Sequence, residues 1–131
     1  MTGPIFDTHA HYSAHAFDAD RFALLDSLPA KGVVGVCEQA THSGDAPRVL
    51  ELAHRYPWVV AAIGIHPESL LAPEDCGADG PAPTVSVYGG DWAAEMRVLA
   101  PYYNDPKVVA VGRMRAGLSL AGAEGRSAGP V

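Results

Sequence analysis

Cysteine and basic charge are scarce in this chain, and each scarcity removes a class of explanation. Two cysteines in 131 residues, Cys37 and Cys76, make no disulfide framework, so the expected surrounding is a reducing cytoplasm. Nine Lys and Arg against fifteen Asp and Glu leave a formal net charge of -6. That balance excludes a basic groove gripping nucleic acid along its whole surface, but not a small site that takes a phosphodiester on a bound metal. No apolar run approaches the ~20 residues of a membrane span. The opening stretch from Met1 to Asp7 has neither a basic start nor an apolar signal core. There is no Walker-type loop, no Gly-x-Gly-x-x-Gly, no paired Cys-x-x-Cys, no Gly-x-Ser-x-Gly elbow and no internal repeat.

What remains is a chain with 48% hydrophobic and 18% charged residues, the composition of one globular domain with a moderate core. Apolar β-rich runs open at Ile5-Phe6 and recur at Val33–Cys37, Val59–Ile65 and Val108–Val111. The last three are continuously apolar, as in strands covered on both faces of a parallel sheet. Helix signals lie between them. Asp18 is placed to cap a stripe of Phe22, Leu25 and Leu28 that Pro29 and Gly32 stop. Ser43 is placed to cap Ala46, Val49, Leu50 and Ala53, ended by Pro57, and Asp91 to cap Trp92, Met96 and Leu99 before Pro101. Strand and helix in alternation predict βαβ units: an α/β fold with about four parallel strands and three helices. Two stretches fall outside the pattern: a Pro/Gly/Ala-rich loop from Pro67 to Gly90, and an irregular tail over residues 113–131 following the domain at 1–112.

The candidate chemistry lies where these strands end. His9 and His11 are two apart at the end of the first strand, so their side chains share a direction about 6.5 Å apart along the strand and can converge on one divalent cation. Asp7 is placed either to orient a ligand histidine or to cap the strand end. His66 follows the third strand, and in a parallel βα sheet the carboxyl ends of the strands form the active face, which puts His9, His11 and His66 on one rim. Glu38 ends the second strand and is expected as a solvated strand end, with a ligand or catalytic role as the alternative. Cys37 reads as a small core residue, His54 as a solvated helix residue, His15 as a surface residue, and His42 as a histidine within reach of the rim. Trp58, Trp92, Tyr102 and Tyr103 read as packing residues.

Phe6-Asp7-Thr8-His9-Ala10-His11, Ala16-Phe17-Asp18-Ala19-Asp20-Arg21, Ala30-Lys31-Gly32-Val33, Gly64-Ile65-His66-Pro67 and Pro106–Gly112, in that order, resemble the TatD family of metal-dependent hydrolases. The resemblance implies a partial (β/α)8 TIM barrel of the amidohydrolase type, because the family is typically about twice this length. It implies a divalent metal (Mg, Mn or Zn), with His9 and His11 as metal ligands and His66 as a substrate-binding residue; no catalytic residue is assigned. It also implies DNase or other phosphodiesterase activity, with nucleic acid or a small phosphodiester as partner, no membrane, and self-association through the open edges of the barrel. Two alternatives stand beside it: another amidohydrolase-type barrel acting on esters, lactones or amides, and a non-catalytic half-barrel that binds a partner.

The family's fourth strand ends in Gly-Glu, and that glutamate is a metal ligand; here the position is Arg113, a cation that would repel the metal. This chain is therefore expected to be inactive by itself. Met114 is encoded by ATG and Arg115, written as CGN, begins with CG, so losing one nucleotide in the codon of Arg113 creates a frame containing TGC, which is Cys. Neighbouring codons then permit Glu-Cys-Gly-Leu-Asp-Tyr, a run that TatD-like proteins often carry at this point. The residues from Arg113 onward are thus expected to be an out-of-frame reading of that motif.

Overall fold

The computed structural model of the protein describes residues 3–66 and 91–112. The Pro67–Gly90 loop and the tail from Arg113 lie outside the described residues. Four strands, β1 (Ile5–Ala10), β2 (Val33–Gln39), β3 (Val59–Ile63) and β4 (Val108–Val111), form one sheet in the order β1-β2-β3-β4 with every pairing parallel. Among the described residues three α-helices alternate with them: α1 (Arg21–Ser27), α2 (Ala46–Arg55) and α3 (Trp92–Leu99). The predicted α/β order of four parallel strands and three helices is therefore the observed one.

One face of this sheet makes the core. Val36 of β2, Val59, Ala61 and Ile63 of β3 and the following Ile65 pack with Leu25, Val49, Ala53 and Leu99 of the helices, all of them buried. The alternation along β3 supplies that face: residues two apart point the same way and meet the apolar stripe of α2. Trp58, Trp92, Tyr102 and Tyr103 pack against it as partly buried residues, as their apolar bodies predict, and Tyr56 is within the core.

Local chemistry corrects several boundaries. β1 continues past Ile5-Phe6 to Ala10, so both ligand candidates sit on or just beyond a strand. α1 begins after Asp20, not Asp18; Asp18 instead accepts from Arg21 at 2.6 Å and lies 3.0 Å from the His15 ring. α2 begins after Asp45, not Ser43, with Pro47 in its first turn, where a missing N–H costs nothing. Asp91 caps α3 as predicted, its carboxylate accepting from the Ala94 amide at 3.1 Å. β4 is not covered on both faces: Val109 and Val111 are 58% and 63% exposed, because among the described residues no further strand or helix packs on them. Gly32, at φ 91°, makes the left-handed turn that feeds β2, a conformation free of strain only for glycine.

Candidate metal site at the carboxyl ends of the strands

β1 delivers His9 and His11 to the rim, and their Nε2 atoms stand 3.1 Å apart with the rings edge to face. Two nitrogens bound to one cation at about 2.1 Å are that far apart when the angle between them is roughly 95°. The pair thus has the spacing of two adjacent ligands. Partial burial, followed by the neighbouring His9, holds His11 below its ordinary value of 6.5, so its ring is neutral at neutral pH, the form a metal requires. A backbone hydrogen bond to Gln39 opposes that shift and helps fix the ring. Among the described residues no group of three His, Cys, Asp or Glu converges to complete a shell. The donor set fits a divalent cation as one part of its coordination. Asp7, left between two roles by the sequence, accepts from the His9 amide at 3.1 Å and so braces the strand end.

His66 lies on the same rim. Its amide donates to the Thr41 carbonyl at 2.7 Å, which ties the end of β3 to the end of β2, and it lines one cavity of about 550 Å³ together with His11, His42, Asp45 and Arg48. His9, His11 and His66 are therefore at one end of the sheet, and His42 joins them. His15 is exposed, as expected, yet it also lines this cavity. His54 is exposed on α2 and additionally pairs with Asp105 at 2.6 Å. Cys37 is buried as a free thiol, and desolvation pushes its pKa up, which suits packing and not nucleophilic attack. The opposite face of the sheet holds a second cavity of about 460 Å³ lined by Thr8, His9, Cys37, Gln39 and Ala62.

Glu38 is the residue that the sequence reading misplaced. It is fully buried, not a solvated strand end, and its two carboxylate oxygens accept from the amides of Tyr12 and Ser13 at 2.8 and 2.6 Å. Burial pushes its pKa up, while those two amides and the Arg21 charge favour the carboxylate. Arg21 grips the same loop from its carbonyl side, with Nε on Tyr12 at 2.6 Å and Nη2 on Ser13 and Ala14 at 3.1 and 2.8 Å. Arg48 adds a bond to the Ser13 carbonyl at 3.1 Å. The residues that directly follow His11 are thus held by three charged side chains from other elements. The partners of Glu38 are 25 and 26 positions away, so no local signal marked it.

The β2–α2 loop is held differently. Asp45 accepts from the Thr41 amide at 2.9 and 3.0 Å, from the His42 amide at 3.1 Å and from the Thr41 hydroxyl. Buried Glu95 of α3 accepts from the Ser43 amide. At the other end of the rim, the Gly112 amide donates to Ile63 at 2.6 Å, and a Cβ on Gly64 would stand 2.8 Å from the Gly112 carbonyl carbon. Only glycine lets β3 and β4 approach so closely there.

Comparison with known proteins agrees with this architecture. A model of the family described as TatD related DNase matches residues 6–120, running past the expected boundary at 112. The chain is 36% identical over 72 residues to human deoxyribonuclease TATDN3, covering 54% of this chain and 26% of that protein. It is 34% identical over 116 residues to the uncharacterized metal-dependent hydrolase YjjV of Escherichia coli, covering 88% of this chain and 38% of YjjV. The crystal structure of YjjV, a TatD homologue, superimposes with a TM-score of 0.57 at 27% identity, over 84% of this chain and 36% of that one. The chain thus spans between a quarter and two fifths of the length of these relatives, and its four-stranded sheet matches part of the TIM-barrel fold of YjjV. The chain belongs to the TatD-related DNase family.

Proposed function

We propose that this chain carries the first part of a metal-dependent phosphodiesterase site, in which His9 and His11 are metal ligands and His66 contacts the substrate. One observation supports the reading above the others. The Nε2 atoms of His9 and His11 stand 3.1 Å apart at the carboxyl end of a parallel sheet, on the same rim as His66, in a chain of the TatD-related DNase family. A divalent cation bound there supplies Lewis acidity and a more acidic water for hydrolysis. The protein's own contribution is positional. Glu38 and Arg21 fix the backbone that follows His11, and Thr41 anchors the His66 amide across the rim.

Two imidazoles are only part of a donor shell, so metal binding by this chain is weak and hydrolysis is absent or marginal. The family's fourth-strand glutamate would sit at Arg113, and the domain at 1–112 followed by an out-of-frame tail belongs to the same reading. A single-stranded oligonucleotide with Mn²⁺ provides the test. Arg113→Glu is expected to tighten metal binding and to raise chelator-sensitive cleavage above that of the unchanged chain. A folded Arg113→Glu protein with no gain in metal affinity contradicts the ligand position. The remaining parts of the proposal are a nucleic acid or small phosphodiester as substrate, a cytoplasmic location consistent with the free Cys37, and self-association through β1 and β4, which sedimentation would read as a dimer. Among the described residues no helix is long and apolar enough to cross a membrane.

A further inference from the structure

The proposed metal and substrate roles account for His9, His11 and His66 and leave a second group of polar side chains in the adjoining cavity unused. That cavity, about 550 Å³, opens from His11 and His66 and runs between the β1–α1 and β2–α2 loops to His15, His42 and Arg48. Its size lies in the ~300–1,000 Å³ range of small-molecule sites.

Arg48 carries the one full positive charge in its lining. Its bonds to the Ser13 carbonyl (3.1 Å) and to the His15 ring (3.4 Å) all fall on Nη1. Among the described residues Nη2 and Nε of Arg48 have no partner, so the fork that matches two phosphate oxygens remains available. The His15 ring is in turn 3.0 Å from Asp18, which steadies the guanidinium through a chain of contacts. His42 accepts from the Gly44 amide through Nδ1 at 2.8 Å. The neutral ring must then carry its proton on Nε2, a second donor in the cavity lining. The carboxylate in the lining, Asp45, already takes the Thr41 amide and hydroxyl and the His42 amide, and Asp18 is taken by Arg21 and His15. The groups left available are therefore donors, and Arg48 and Asp45 are the two formal charges of the lining, the second already occupied by amide and hydroxyl donors.

We infer that this cavity is a phosphate-binding subsite, centred on Arg48 and His42, which takes the phosphate flanking the linkage held at the His9–His11 pair. The nucleotide identity of the ligand rests on the phosphodiesterase reading; the affinity for phosphate rests only on the cavity.

The full chain is titrated in chelator, without metal, with a thymidine dinucleotide bearing a 5′-phosphate and with the same dinucleotide lacking it. The phosphorylated form is expected to bind about tenfold more tightly, about 1.4 kcal/mol. Inorganic phosphate is expected to displace it and not the other form. Arg48→Gln is expected to abolish the preference, and His42→Gln to reduce it severalfold. If Arg48→Gln loosens the β1–α1 loop enough to unfold the chain, circular dichroism shows it. His42→Gln, which touches no carbonyl of that loop, then carries the comparison. Equal binding of the two dinucleotides, or a preference that survives in the folded variants, overturns the subsite. Since no metal is present, failure of the metal site leaves this result unchanged. Failure here likewise leaves the metal titration of His9 and His11 unchanged.

Discussion

The two loops that frame the rim are built on opposite principles. The β1–α1 loop, which follows the ligand pair, is held from a distance: Glu38 takes its amides, while Arg21 and Arg48 take its carbonyls. The β2–α2 loop, which walls the cavity, is closed mainly by its own Asp45 reaching back three and four residues, with Glu95 on the Ser43 amide and the His66 amide on the Thr41 carbonyl as long-range contacts. A long-range brace transmits the position of one strand to another, so β1 and β2 cannot shift without moving His11. A local brace shapes only its own turn. The difference says where precision is needed: at the proposed metal ligands, where an error of ~1 Å disables a site.

Glu38→Leu breaks the first brace and is expected to have the largest effect. It strands the buried Ser13 amide and the half-buried Tyr12 amide, with a loss of about 2–5 kcal/mol read in denaturant or thermal melts. Glu38→Gln keeps the volume and one accepting oxygen and should fall between the two. Asp45→Ala breaks the second brace and should cost less, about 1–2 kcal/mol, as for other carboxylates that satisfy the amides of a turn. Equal losses from Glu38→Leu and Asp45→Ala would erase the distinction between the loops. The smallest effect is expected far from the rim, at the exposed His54–Asp105 pair. The His54 ring, and after it the Lys107 amide, hold the Asp105 carboxyl below its ordinary value of 3.8. A depressed carboxylate contributes stability above its unfolded pKa, and that stability is lost as pH falls through the lower, folded value. His54→Ala should therefore lower the melting temperature slightly above about pH 4 and flatten its fall on acidification below that.

The same contrast explains what could be read in the sequence. The strands at Val33–Gln39 and Val59–Ile63 and the helix at Trp92–Leu99 announce themselves through contiguous apolar runs and a capping aspartate, all local signals. His9, His11 and His66 were legible because period-two alternation and the strand-end rule place them without knowledge of any long-range contact. The α2 boundary was missed although its signal was present: Pro47 two residues after Asp45 favours a start there over one at Ser43. Glu38 was not legible at all. A carboxylate after an apolar strand looks solvated until the chain returns Tyr12 and Ser13 to cover it, and that return is a property of the fold.

The account stands on the pairing of His9 with His11, and calorimetric titration of Zn²⁺ and Mn²⁺ into the unchanged chain and into His9→Ala, His11→Ala and His66→Ala tests it most directly. One weak site per chain is predicted, lost in His9→Ala and in His11→Ala and kept in His66→Ala. Binding that survives removal of both first-strand histidines, or that disappears with His66 alone, would contradict it.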